Sequence, residues 1–521
     1  MAYHTTLFLF VFLPLALICY HFAPQKWRGY VLIGFSYLFF WMNSKELLAY
    51  LIGTTLLTHH IGIWLDGLTI KEANAEAEEK KQIKKQRKRV LLLGIVILLG
   101  VLISMKYQNF IGLNASRVAE HFSIRYSFDP VAIVLPLGIS FYTLQAIGYM
   151  VDVYWKKIEA DYSLEKTALF LSFFPQIMEG PICRYSDTAD TLYKKSPLKL
   201  ENLQHGSLRI VWGLFKKIVI ADRLAVVVKT VFDSYADYHG IIIVVAALAY
   251  TIQLYMEFSG AIDMVIGTGV MFGVKLPENF RQPFFAENAS GFWRRWHITL
   301  GVWFKEYIFY PVSVSKIVKK WNRYGRKNVG KYWTKIVTSA VALFPVWLCN
   351  GIWHGPRWSY IFYGMYYFTL IMIGILLEPI RKKVLQTLHI NPKQLWYRAL
   401  QFVKLMVIVI TGELFFRADS LRIGVRMFRS IFQDFQPSIL FDGNLLNLGI
   451  DNLDFMVILV GCMIVLLVDL MKEKKVALTE KLEHWRLPIR WSVYYGLILA
   501  VIIFGAYGEG YQVIDLIYAG F

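Results

Sequence analysis

Apolar residues fall in long runs along this chain, near residues 5–22, 29–42, 46–65, 90–105, 131–151, 166–180, 207–229, 240–272, 336–350, 357–378, 399–416, 454–470 and 489–507. A helix that crosses a bilayer needs ~20 mostly apolar residues, and many of these runs approach that length. Several are shorter, or are interrupted by glycine, proline or charge, so the pattern predicts about 11 full spans plus at least two re-entrant or interfacial pieces. Helix is the expected secondary structure throughout, because hydrocarbon cannot satisfy an open backbone. The expected fold is therefore all-α and polytopic: one domain over residues 1–521, with a core near 90–420 and flanking spans in 5–65 and 454–507. The first run, Thr5 to Tyr20, has no basic residue before it and no small-residue cleavage motif after it, which reads as a retained helix.

Composition sharpens the class. Hydrophobic residues make up 56% of the chain and charged residues 18%, where a soluble domain carries about 25% charged. The net charge of +19 fits cytoplasmic loops of a membrane protein better than a nucleic-acid partner. Two clusters hold much of that charge. One runs through Lys80, Lys81, Lys84, Lys85, Arg87, Lys88 and Arg89; the other holds Lys316, Lys319, Lys320, Arg323, Arg326, Lys327, Lys331 and Lys335. The positive-inside rule places both on the cytoplasmic face. Three crossings within 5–65 then put the amino terminus outside, and the Lys106 to Pro130 segment outside as well. Residues 72–90 mix Glu and Lys at helical spacing, which favours a solvated helix or a helix extension, against the plainer reading of a charged loop anchored at anionic lipid. Cys19, Cys183, Cys349 and Cys462 are scattered and show neither disulfide nor metal spacing.

Against this apolar background, ionisable residues at depth are candidates for function. His354 stands in Trp353-His354-Gly355, after an apolar run that begins at Leu343 and contains Asn350. Gly351, Gly355 and Pro356 break regularity around it, and irregular backbone at depth is tolerated where it is buried in protein or lines a wet cavity. An imidazole titrates near neutrality and takes or returns a proton, which favours function over a core histidine satisfied by a carbonyl. His297 lies in Phe292-Trp293-Arg294-Arg295-Trp296-His297, ahead of Trp303 to Ile308, a pattern of an interfacial element; a belt histidine among tryptophans is its structural reading. Glu257 and Gln253 share a helical face, while Asp263 points elsewhere; helix–helix hydrogen bonding competes with a tunnel-lining role for all three. Glu413 and Arg417, four apart, are expected to pair. Glu179-Gly180-Pro181-Ile182-Cys183-Arg184 reads as a re-entrant turn. No Gly-x-Ser-x-Gly elbow or phosphate loop occurs. Gly267, Gly269 and Gly273 fit close helix packing, and the adjacent His59 and His60 face apart on a helix.

Taken in order, several segments resemble the membrane-bound O-acyltransferase family, in its bacterial branch that O-acetylates alginate and D-alanylates teichoic acid. They are Leu135-Pro136-Leu137-Gly138-Ile139-Ser140-Phe141-Tyr142, Phe174 to Tyr185, Phe258-Ser259-Gly260 with Asp263-Met264, Pro277-Glu278-Asn279-Phe280, Phe292 to His297, Gly351-Ile352-Trp353-His354-Gly355 and Phe415-Phe416-Arg417-Ala418. The resemblance spans roughly residues 5 to 420, and the stretch from Glu413 to Asp419 looks closer to the alginate side. Glu179 departs from the small residue usual before Gly-Pro. The resemblance implies a ring of helices around a thinned, funnel-like centre in a multi-pass protein of the plasma (inner) membrane. It implies transfer of an acyl group, acetyl above all, from a cytoplasmic thioester to a hydroxyl presented from the other side. His354 would be the general base, and His297 would position the donor or polarise its carbonyl. Asn350, Trp353, Trp296, Glu257 and Asp263 are candidates for lining the passage, and Lys316, Lys319 and Lys320 for binding the donor. No tightly bound cofactor or metal is implied; the donor is acetyl-CoA or a phosphopantetheinyl acyl carrier protein. The implied partners are membrane lipid, a cell-surface polysaccharide or peptidoglycan acceptor, and an extracytoplasmic relay protein, with no nucleic acid. D-alanyl transfer to teichoic acid from a carrier protein is the alternative within the class; a polytopic transporter or glycan-export scaffold is the alternative outside it.

Overall fold

The computed structural model describes residues 1–507, apart from the side chains of Asn444 and Thr479; the end of the expected domain, 508–521, lies outside the described residues. All regular structure among the described residues is helical, as a chain that must satisfy its backbone within lipid requires. Eight stretches are long and apolar enough to cross a membrane. In chain order these contain α1 (Arg28–Ser44) with α2 (Leu48–Asn74), α3 (Ala77–Lys106), α4 (Ile241–Met271), α5 (Lys331–His354), α6 (Trp358–Thr387), α7 (Leu395–Arg417), α8 (Asn452–Glu473) and α9 (Leu487–Phe504). The chain is a multi-pass membrane protein.

The remaining apolar runs fold as shorter pieces, for local reasons. Residues 131–151 become helical only from Ile139, because Pro136 and Gly138 form a turn first. A Cβ on Gly138, whose φ is +65°, would lie 1.8 Å from the Ile177 carbonyl oxygen, so only glycine fits there. The 166–180 run divides into Leu164–Ser172 and Phe174–Ile177 at Phe173, whose extended ψ of 110° stops the first helix. Residues 207–229 stay helical across Leu200–Leu214, a wide π turn at Phe215–Ala221 and Asp222–Asp233. Lys216, Lys217, Asp222 and Arg223 make that stretch too polar to count as a simple span.

The described chain forms two compact units. The first comprises Met1–Ile210 with Ala261–Pro277; the second comprises Val211–Gly260 and the chain from Glu278 onward. A core of rings stands at the start of the first unit: Tyr3 stacks on Phe39 at 5.6 Å, Phe12 meets Phe174 edge-on at 5.3 Å, and the Tyr3 hydroxyl donates to the Phe174 carbonyl at 2.8 Å. Within 72–90 the chain breaks at Ala75 and Glu76, and from Ala77 it forms the amino-terminal extension of α3 and not a loop. Arg87 on it is buried against Glu72 of α2 at 2.6 Å. In the second unit, α5 and α6 pack along each other at very short range. A Cβ on Gly351 would lie 2.5 Å from the Tyr360 carbonyl oxygen, and one on Gly364 would lie 2.2 Å from that of Trp347. Small residues at such a seam let two backbones touch, which is how helices associate where lipid removes the hydrophobic drive.

Candidate active site

Both histidines lie in the second unit and are almost fully buried, His297 at 1% exposure and His354 at 2%. His354 is the last residue of α5, where Gly355 at φ +148° ends the helix. Its ring meets Phe416 of α7 edge-on at 5.1 Å and Tyr363 of α6 at 6.1 Å. His297 caps the short helix Ile298–Phe304 in a left-handed conformation, φ +47°. A non-glycine residue held there carries backbone strain of the kind that collects at functional sites. The His297 ring packs against Phe258 at 4.9 Å and Trp353 at 5.5 Å, and the Trp353 ring is itself 5.1 Å from His354. One indole therefore contacts both imidazoles.

Asn279 settles the protonation of His297. Its Oδ1 accepts from the Thr299 backbone N–H at 3.0 Å and from the Thr299 hydroxyl at 2.9 Å, so that atom is the carbonyl oxygen of the amide. His297 Nδ1 lies 3.3 Å from the same oxygen and must be the donor, which leaves the lone pair on Nε2. Burial disfavours the charged ring and drives this imidazole, outside the eight candidate spans, down to about 3; it is neutral at physiological pH.

Glu413 departs from the sequence expectation. It does not pair with Arg417, which instead reaches Asp233 at 3.4 Å and Asp419 at 3.8 Å beyond the end of α7. Four residues of separation bring two side chains within reach, but at a helix terminus the arginine finds carboxylates in the wetter surroundings outside. Glu413 is 1% exposed, and its Oε1 accepts from the Tyr363 hydroxyl at 2.9 Å. Glu413, Tyr363 and His354 thus follow one another across α7, α6 and α5. Sequence reasoning missed Tyr363 and Asn279. Tyr363 is one tyrosine of several in an apolar helix, and Asn279 stood only within a quoted motif.

The other candidates are placed as follows. Asn350 is buried one turn before His354, on the same face of α5. Trp353 is the indole in contact with both histidines. Trp296 packs in a ring cluster, stacked on Phe292 at 5.4 Å and edge-on to Phe280 at 5.1 Å. Glu257 lies in a buried charge cluster, 3.3 Å from Lys217, which also holds Asp222 at 2.7 Å, with Gln253 at 3.4 Å from Glu257. Asp263 belongs to the first unit, where it pairs with Arg209 at 2.9 Å. Lys316, Lys319 and Lys320 are exposed on Lys316–Asn328, an amphipathic helix capped by the Ser315 side chain. That helix precedes α5 at the end opposite His354, and 24 residues of helix separate the two ends of α5 by about 36 Å. His59 is buried against Thr167 at 3.3 Å and His60 is exposed, facing apart as their adjacency implied.

Comparison with known proteins bears on this arrangement. Residues 156–325 match the family model described as MBOAT, membrane-bound O-acyltransferase family. A probable alginate O-acetylase of Pseudomonas syringae pv. tomato is 31% identical over 455 residues, covering 87% of this chain and 80% of the relative. A peptidoglycan O-acetyltransferase of Helicobacter pylori is 28% identical, covering 82% of this chain and 79% of the relative. A teichoic acid D-alanyltransferase of Bacillus subtilis is 28% identical across 53% of this chain and 65% of the relative.

Proposed function

This chain belongs to the membrane-bound O-acyltransferase family and is a membrane acyltransferase, and from that premise we propose that it moves an acetyl group from a cytoplasmic thioester to a hydroxyl of a cell-surface glycan, or of an extracytoplasmic protein that relays it. The observation that carries the reading is the pair of buried histidines meeting on the Trp353 indole. His354 takes the proton of the acceptor hydroxyl as its oxygen attacks the thioester carbonyl carbon. The tetrahedral intermediate collapses, the C–S bond breaks, and His354 returns the proton to the departing thiolate, so that a thiol and an ester are the products. His297 is neutral with its lone pair on Nε2 and serves as a hydrogen-bond acceptor beside Trp353. In this reading its role is to position the donor. Acetyl is favoured over D-alanyl because the relatives matched along most of their length are named for O-acetyl transfer. The setting is the plasma membrane, and the donor is acetyl-CoA or a phosphopantetheinyl carrier protein.

The test is transfer of labelled acetyl from acetyl-CoA, and separately from an acetylated carrier protein, by the purified full-length protein to a polysaccharide hydroxyl. Product from either donor is expected; none from both, with folded protein, defeats the reading. Lys316, Lys319 and Lys320 are the donor-binding candidates. K316Q/K319Q/K320Q is expected to raise the apparent KM for donor severalfold at low salt and to leave kcat unchanged, since exposed cations act by screened attraction to phosphate. An unaltered donor KM would assign the row to anionic lipid instead.

A further inference from the structure

The sequence pattern sets 454–470 apart as a flanking span, and α8 lies beyond residues 156–325 matched by the family model. Within the second unit, however, polar contacts tie α8 to the segment that carries His297. Near its start, Asp454 meets Arg223 at 2.8 Å. At its far end Asp469 and Glu473, four apart and so on one face, reach into the unit. Asp469 accepts from the Tyr255 hydroxyl at 2.7 Å, and the Tyr255 ring lies 6.1 Å from that of Trp296. Glu473 takes both arms of the Arg295 guanidinium, at 2.7 and 3.1 Å.

Arg295 stands two residues before His297, where the backbone is strained. His297 at φ +47° and Gln282 at φ +43° are both non-glycine residues in the left-handed region, a conformation that persists only where the surrounding structure imposes it. Three hydrogen bonds stitch their two segments together. The Arg281 N–H donates to the Arg295 carbonyl at 2.9 Å, the Ile298 N–H to the Asn279 carbonyl at 3.0 Å, and the Arg295 guanidinium to the Gln282 carbonyl at 3.3 Å. One guanidinium thus joins the Gln282 turn, the His297 segment and α8. A partly exposed ion pair usually contributes little. A bidentate fork that also holds a carbonyl fixes direction as well as distance, which a lysine would not do.

We propose that Glu473 is a positioning residue for the transfer reaction, holding Arg295 so that the strained 295–298 segment presents His297 to the donor. The end of α8 is then part of the working site and not only lipid-facing scaffold. The proposal rests on the acyl-transfer reading above, in which His297 positions the donor, and adds the residue that acts through Arg295. Asp469, one turn earlier, steadies the Tyr255 ring beside Trp296.

The experiment measures acetyl transfer by full-length protein in detergent, varying donor and acceptor separately, with thermal unfolding read on each preparation. The donor is acetyl-CoA, or acetylated carrier protein where wild type uses that alone. E473R sets two cations against each other and is expected to raise the donor KM at least about fivefold, leaving the acceptor KM within about twofold. E473Q, a milder change at a partly exposed pair, is expected to raise the donor KM about two- to fivefold. R295E/E473R restores opposed charges and is expected to return to within about threefold of wild type, while R295K falls between wild type and R295E. A wild-type donor KM in both E473R and E473Q, or a double variant no better than R295E alone, overturns the proposal. So does a lowered melting temperature with unchanged kinetic constants in the protein that remains folded, the result of a merely structural pair. Absence of product from wild type with either donor would instead defeat the transferase reading itself.

Discussion

His354→Ala is expected to lower acetyl transfer by at least about a hundredfold, and up to about ten-thousandfold, the range that a positioned acid–base group contributes. Two features of the site support so large an effect. The ring is enclosed by Phe416, Tyr363 and Trp353, so no nearby side chain of similar basicity takes its place, and His297 is turned to Asn279. The fold is expected to survive, because α5 and α6 are held by the Gly351 and Gly364 contacts rather than by the imidazole. Turnover and thermal unfolding should be read on the same preparation. Full transfer by a variant that melts like wild type would remove His354 from the chemistry.

The second large effect is expected at Glu413. A carboxyl buried this completely, with a tyrosine and not a cation as its partner, is costly to keep unless it serves the site. It fixes the Tyr363 hydroxyl, and the Tyr363 ring is one wall of the His354 pocket. Glu413→Leu is expected to lower kcat by about tenfold to a hundredfold with little change in KM, the scale of a misplacement of about 1 Å at a reacting centre. Glu413→Gln keeps a carbonyl oxygen for Tyr363 and is expected to recover most of the rate. Tyr363→Phe should resemble Glu413→Leu, and the double variant should be no worse than either single one, because the two residues act as a unit. A purely packing role would show instead as loss of thermal stability, with kcat unchanged in the protein that remains folded.

What was legible in the sequence follows from how few ways a membrane chain has to hide polarity. The helical class and the membrane setting could be read directly, and the two histidines singled out in the sequence, one at the end of an apolar run and one after a Trp-Arg-Arg-Trp stretch, are both buried. Gln253 and Glu257 were correctly placed on one face, because helical periodicity alone decides that. The Glu413–Arg417 expectation failed because spacing reports reach and not competition: at the end of α7 the arginine met Asp233 and Asp419, and the glutamate met Tyr363 on another helix. The shortened segments at Phe173 and Gly138 are backbone events that a hydropathy pattern does not register. Of the boundaries between the two compact units, those near 210 and 260 fall inside continuous helices, Leu200–Leu214 and α4, and the one after Pro277 falls in the segment between α4 and Pro283, so no linker composition marks them.

The seam between α5 and α6 has a practical consequence for redesign. With peptide groups already touching at Gly351 and Gly364, that wall offers no volume, and any added methyl group would force the helices apart together with His354. An attempt to admit longer acyl chains would therefore have to carve room at Phe416 or Tyr360, whose rings are replaceable side chains, and leave the backbone-to-backbone wall untouched.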